Sequence, residues 1–393
     1  MTHTDAVFGF LVAFAVAAAL TPVTARIATW VGAVDKPRER GLAEGGTPLL
    51  GGVAILAAVL VAIAAFVSFT PIVEDRLRGI IWAAVVVTAV GALDDRFDLL
   101  PGLKLAGQIG AAVIAVRAGV KVENVTLPFF GAIRFGSVGG PLTAVGLVAT
   151  MNIVNFSDGI DGLAAGVCAI SAIAFSIIAF DLQRDHAAVL SAITAGAALG
   201  FLIYNFHPAS VFMGDAGSNL LGLLLGAIAV EGAVKTQAVL ALLFPLAVLA
   251  VPFLDTTFVV LKRMKYRRAV WRADQNHFHH RFDRIGFSQV RTVLYLYAWT
   301  IALAGFAVAL RFVPYSDHHG HLHAGWTAVM AALGVLVLGA SVYLVYVLEI
   351  LKFRRLQAMR SRLQRPEATE EEIEEDVRER FETGEFTAVG GDR

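Results

Sequence analysis

The chain has 393 residues, of which 57% are hydrophobic and 16% charged, and its 32 basic and 32 acidic side chains cancel. A soluble domain carries roughly a quarter charged residues, so this chain is short of solvating groups, and its zero net charge offers nothing to a nucleic acid. A mean hydropathy of +0.69 and repeated apolar runs of about 20 residues point to a polytopic membrane protein, while a single cysteine, Cys168, excludes an internal disulfide.

The N-terminus lacks the basic region and small-residue cleavage site of a signal peptide, and its first apolar run is long enough to remain as a helix. The pattern predicts an all-α fold of about eleven transmembrane helices, near residues 6–27, 49–69, 79–93, 103–120, 138–156, 161–180, 187–205, 217–233, 237–261, 290–312 and 325–350. Between the fourth and fifth, VKVENVTLPFFGAIRFG alternates and turns like a small extended hairpin near 121–136. Arg26, Lys36, Arg38 and Arg40 follow the first span; Lys262, Arg263, Lys265, Arg267, Arg268, Arg272, Arg281 and Arg284 follow the ninth. Both loops are odd-numbered and lie on one side, which the positive-inside rule makes the cytoplasm. The N-terminus is then outside and the C-terminus inside. Residues 1–350 form the transmembrane domain and 351–393 a charged cytoplasmic tail, whose LKFRRLQAMRSRLQR segment suits an anionic lipid surface before an acidic, solvated end.

Polar clusters at 35–52, 94–98, 152–161, 205–218 and 274–281 all fall in or beside odd-numbered loops, and so point to one site on the cytoplasmic face. In GALDDRFDLL, Asp94 and Asp95 close the third span and Asp98 returns to their helical face. Adjacent carboxylates at a membrane boundary repel unless a cation lies between them. An exposed acidic loop is the plain alternative. In MNIVNFSDGIDGLAAG the three-residue steps drift about 60° each on a helix. One continuous face is therefore a poor explanation, and the glycines instead suggest that the fifth span ends near Asp158, with Asn152 left to helix packing. In YNFHPASVFMGDAGSNLLG, Gly214 and Gly217 flank Asp215 and admit a phosphate or metal close to the backbone; Ser218 and Asn219 are placed to cap the eighth span. DQNHFHHRF gathers His277, His279, His280 and Arg281, able to bind phosphate, relay protons or hold a metal. DHHGHLH, 317–323, falls in an external loop and reads as a surface feature. Carboxylates for magnesium, basic groups for phosphate oxygens and glycines for close approach are the equipment of phosphoryl transfer.

Five motifs, DKPxxR…PxxGG, GALDDRFDL, NxxNFxDGIDGLAAG, PASVFMGDAGS and HFHHR, resemble those of the polyprenyl-phosphate N-acetylhexosamine-1-phosphate transferases across about 35–290. These are bacterial inner-membrane enzymes that start lipid-linked glycan assembly. The resemblance implies transfer of a sugar-1-phosphate from a UDP-N-acetylhexosamine to a polyprenyl phosphate, releasing UMP, with Mg²⁺ (or Mn²⁺) as cofactor. It makes Asp94 and Asp95 the catalytic acidic pair, Asp215 the principal metal ligand with Asp94 a second, and Asn155, Asp158 and Asp161 the nucleotide-binding set. Phe212 matches the aromatic that stacks on uracil and Asn205 the polar residue opposite it. His277, His279 and His280 match the histidine motif near the phosphates, with Arg281 and Arg40 as further substrate contacts. The HxHHR form is similar to the branch using UDP-N-acetylglucosamine; the muramoyl-pentapeptide branch usually has three consecutive histidines. The chain departs from that second branch at Ala43, where a histidine often stands. Membrane lipids are the remaining partners, and the sequence leaves a homodimer open. The rival class is a cation-coupled transporter, but transport sites cluster near the bilayer midplane and these acids sit at one edge.

Overall fold

The computed structural model describes residues 2–35, 46–67, 71–127, 131–232, 289–314 and 323–346. The helices in this region are α1 (His3–Val31), α2 (Gly51–Phe66), α3 (Pro71–Phe97), α4 (Pro101–Arg117), α5 (Gly139–Ser157), α6 (Leu163–Asp181), α7 (Asp185–Asn205), α8 (Gly214–Gly232), α9 (Gln289–Phe312) and α10 (Ala324–Tyr346). Two short antiparallel hairpins join them: β1 (Val34–Asp35) pairs with β2 (Thr47–Pro48), and β3 (Asn124–Leu127) with β4 (Gly131–Arg134), in the register Asn124 opposite Arg134. The second is the hairpin that the alternation near 121–136 predicts.

The described helices coincide with ten of the predicted spans; the one near 237–261 and the tail from 351 lie outside the described residues. Among the described residues seven helices are long and apolar enough to cross a membrane, in α1, α3, α5, α6, α7, α9 and α10, and α2 is a shorter apolar helix. A bilayer offers no water to unpaired peptide groups, which explains why the described apolar stretches are helical almost throughout.

The described residues between 2 and 232 and those of 293–314 belong to one compact unit, and α10 belongs to a second. Within the first, small side chains let the helices approach closely, as packing in lipid requires. Ala6, Gly9, Ala13, Ala17, Thr21, Thr24 and Ala28 form a buried stripe along α1. Gly196 and Gly200 of α7 lie against the backbone of Phe10 and Phe14 within it. Helix α8 runs through the middle and touches α2, α3, α5, α6 and α7. Its Gly222 and Gly226 face Thr150, Met151 and Leu147 of α5, while Gly52 of α2 and Gly91 of α3 meet the backbone of its first turn. This packing brings the C-terminal ends of α1, α3, α5 and α7 together with the N-terminal ends of α2, α4, α6 and α8.

Candidate active site

The first turn of α8 anchors the site. Gly214 opens it with φ +65°, and a Cβ there would collide with the Asp95 carboxylate and the Leu49 carbonyl, so glycine is required twice over. The free first-turn amides of Asp215 and Ala216 donate to Asp95 Oδ1 and Oδ2, at 2.7 and 3.2 Å. A carboxylate here meets the positive end of the helix dipole. Asp95 therefore docks the end of α3 onto the start of α8. Helix α3 stops at Phe97 because Asp98 turns left-handed, with φ 53°. Asp98 is exposed and does not return to the face of Asp94 and Asp95, because the helix ends before it.

Asp94 Oδ1 accepts the Leu99 amide at 2.8 Å, which turns its carboxylate back over the end of α3. Its Oδ2 is 3.4 Å from the Lys104 ammonium. Lys104 rises from the first turn of α4, a helix opened by Pro101, and also ion-pairs with Asp215 Oδ2. One cation thus lies between two carboxylates from different helices. The other oxygen of Asp215 accepts Asn155 Nδ2 at 2.7 Å, and the same amide reaches Ser218 Oγ at 2.8 Å. Motif reading misses Lys104, since a lone lysine behind DDRFDLLPGL looks like an ordinary helix flank. The available signal is its place on the first turn of the apolar helix that directly follows the acidic pair.

A second group forms beside the first. Helix α5 ends at Ser157 and α6 begins at Leu163, and Gly162 makes the bend with φ 81°. The Gly162 amide donates to Asn205 Oδ1 at 3.0 Å and its carbonyl accepts the Tyr297 hydroxyl at 2.5 Å. Asn205 Nδ2 donates in turn to the Val211 carbonyl at 3.1 Å. Buried, with both ends of its amide engaged by backbone, Asn205 ties the 158–162 turn to the 205–211 loop; the structure does not turn it toward open space. Asp161 Oδ2 pairs with His207 Nδ1 at 2.8 Å and accepts the Ala209 amide at 3.1 Å. His207 is a further side chain of the site that the motif reading leaves without a role, although it stands inside the FHPAS stretch. Burial pushes the Asp158 carboxyl up to about 7, with the charges of Asp95 and Asp161 acting in the same direction.

Phe212 is half-buried and its backbone is zipped to the start of α2. Its amide donates to the Pro48 carbonyl at 2.8 Å, and its carbonyl accepts the Gly51 amide at 3.1 Å. Gly52 donates to the Met213 carbonyl at 3.0 Å. A weak-looking PxxGG motif therefore holds the loop before Asp215. Arg40, His277, His279, His280 and Arg281 lie outside the described residues.

Among the described residues no three His, Cys, Asp or Glu side chains gather as a closed metal cage. Magnesium is commonly held by one or two carboxylates plus substrate phosphates. Asp94 and Asp215, two hard donors already converging on one cation, fit an ion that arrives with a diphosphate.

Residues 77–233, from within α3 to just beyond α8, match the glycosyl transferase family 4 model. The chain is also 34% identical over 292 residues to a probable undecaprenyl-phosphate N-acetylglucosaminyl 1-phosphate transferase of Bacillus subtilis, covering 74% of this chain and 81% of that protein. The chain belongs to glycosyl transferase family 4. Another family relative, the decaprenyl-phosphate N-acetylglucosaminephosphotransferase of Mycolicibacterium smegmatis, is 36% identical over 363 residues, 81% of this chain and 86% of the relative. A phospho-N-acetylmuramoyl-pentapeptide-transferase of Moorella thermoacetica is 34% identical over 286 residues, 69% and 86% of the two chains. As a family 4 member the protein is a membrane glycosyl-1-phosphate transferase, and both polar groups described above fall largely within the matched region.

Proposed function

We propose that this enzyme transfers N-acetylglucosamine-1-phosphate from UDP-N-acetylglucosamine to a polyprenyl phosphate, releasing UMP, at the cytoplasmic face of a bacterial inner membrane. The carrying observation is the Asp94–Lys104–Asp215 cluster, where two carboxylates and an ammonium meet at the mouth of the helix bundle. The sugar choice rests on the HxHHR form and on the names of the relatives from Bacillus subtilis and Mycolicibacterium smegmatis. We place the N-terminus outside and the C-terminus inside, with about eleven spans, from the loop charges.

In this reading, Asp215 and Asp94 would hold Mg²⁺, which would supply positive charge to offset that of the diphosphate. Asn155 fixes the Asp215 carboxylate through one oxygen and leaves the other facing Lys104. Lys104 supplies a positive charge that can move from the carboxylates to phosphate oxygens as substrate enters. Asp95 acts by holding the α8 amides in place, since each of its oxygens already accepts one. Asp161, held by His207 and Ala209, presents its second oxygen to the uracil edge, with Phe212 as the stacking surface. A prenyl phosphate has a second pKa of about 6 and is largely ionised at neutral pH, so it needs little activation. Its oxygen forms a bond to the sugar-bearing phosphorus, and the bond from that phosphorus to the bridging oxygen breaks, the oxygen leaving on UMP. His277, His279, His280 and Arg281 are proposed to contact the phosphates, and Arg40 the substrate rim.

The test is a panel of radiolabelled UDP-sugars offered to purified protein with polyprenyl phosphate, with and without Mg²⁺. Label from UDP-N-acetylglucosamine should enter lipid only with the metal. Preferred transfer of a muramoyl-pentapeptide phosphate would overturn the sugar assignment.

A further inference from the structure

Beneath the Lys104–Asp215–Asn155 layer lies a second polar layer, built by the same three helices one turn deeper. Helix α4 carries Lys104 and Gln108 four residues apart, α8 carries Asp215 and Asn219 four apart, and α5 carries Asn155 and Asn152 three apart, spacings that stack side chains on one helical face. The deeper trio forms a directed chain. Asn152 Nδ2 donates to Gln108 Oε1 at 2.8 Å, Gln108 Nε2 donates to Asn219 Oδ1 at 2.8 Å, and Asn219 Nδ2 donates to the Asp215 carbonyl at 2.8 Å. Gln108 and Asn219 are 2% and 1% exposed, a costly place for amides unless each finds a partner.

The chain ends on the backbone of one particular residue. The Asp215 amide is held by Asp95 and its carbonyl by Asn219, while its side chain is held by Asn155. The peptide groups on both sides of the carboxylate are thereby fixed from two directions. The line of bonds also ties α5 through α4 to the face of α8 that carries Asp215. We propose that Gln108, Asn152 and Asn219 are positioning residues for the reaction, a buried amide relay that fixes Asp215 against Lys104 and so sets the affinity of the site for a divalent cation. This rests on the reading of Asp215 and Asp94 as the metal-holding pair.

Side chains that orient a metal ligand typically change metal affinity or activity by about 10–100-fold when removed; amides that only glue helices together change stability alone. The experiment uses the full chain in nanodiscs and titrates Mn²⁺ by electron paramagnetic resonance, with thermal unfolding and turnover measured on the same samples. Gln108→Met, close in shape and unable to bridge, should raise the half-saturating Mn²⁺ concentration about tenfold or more and lower kcat. The KM for polyprenyl phosphate should stay within twofold. Asn152→Leu cuts the chain at its partly exposed end and should do the same to a smaller degree; it carries the test if Gln108→Met does not fold. Ser176→Ala, which removes a buried bond from α6 to the Ala188 carbonyl, should lower thermal stability without moving the Mn²⁺ titration. Variants that lose stability while binding Mn²⁺ like the wild type would overturn the relay and leave it as helix glue. A wild-type protein that binds no Mn²⁺ would instead sink the metal reading, and the relay with it.

Discussion

Replacing Lys104 with methionine removes the ammonium and keeps most of the side-chain volume. The Asp94 carboxylate is 3.4 Å from that charge, and two unit charges so placed attract by about 5 kcal/mol at an effective dielectric near 20. Asp215 is paired to the same ammonium, and the side chains of Lys104, Asp94 and Asp215 are only 23%, 14% and 20% exposed. Breaking a fully buried pair costs about 3–5 kcal/mol; the residual exposure here puts the loss of stability at or below the lower end of that range. The catalytic effect should be larger. A charge aimed at a developing anion is worth about 100- to 1,000-fold in kcat, so Lys104→Met should lose turnover by that factor while remaining folded. With the ammonium gone, Asp94 and Asp215 should hold Mn²⁺ more tightly, because the competing cation is absent. The assay is transfer of labelled sugar phosphate into lipid, beside thermal unfolding and a Mn²⁺ titration. Turnover within threefold of wild type would refute the placement of Lys104 at the reacting phosphates.

Gly214→Ala forces a side chain into a left-handed backbone position, worth about 1–2 kcal/mol, and into the Asp95 carboxylate; activity should fall at least tenfold together with the melting temperature. Asn205→Leu strips partners from the Gly162 amide and Val211 carbonyl, at about 1–3 kcal/mol for each buried group. It should raise the KM for the UDP-sugar, and an unchanged KM would contradict the role given to that tie. The Asp158 carboxyl, raised from 3.8 to about 7, holds its proton in the folded state where the unfolded chain has lost it, so its effect is a fall in metal-free stability as pH rises across about 4 to 7. Asp158→Asn should flatten that part of the melting-temperature profile; an unaltered slope would contradict the burial of this group.

Much of the bundle was legible because apolar runs bounded by glycine, proline and charge leave few alternatives to a helix in lipid. The turn at Asp158–Gly162 was legible too, since successive three-residue steps accumulate a drift of about 60° each and glycine permits the bend. What sequence could not supply was pairing between distant helices. Asp95 and Asp94 are neighbours, yet one accepts the amides of α8 and the other faces Lys104, a division set by where α8 begins. Asn205 reads as a ligand residue inside a polar motif, and only the fold places the Gly162 amide and Val211 carbonyl at its two ends. Gln108 looks like a stray polar residue in an apolar helix and Asn219 like a helix cap, until α8 starts at Gly214 and α4, α5 and α8 bring the two amides together. Their four-residue spacing from Lys104 and Asp215 was the one visible hint.

Asp215, fixed at the start of α8, is the residue proposed to hold the metal. The direct measurement is UMP release by purified Asp215→Asn protein supplied with UDP-N-acetylglucosamine, polyprenyl phosphate and saturating Mg²⁺. A fall in turnover of about 1,000-fold or more in protein that melts near the wild-type temperature is the predicted result. Release of UMP at the wild-type rate would contradict it.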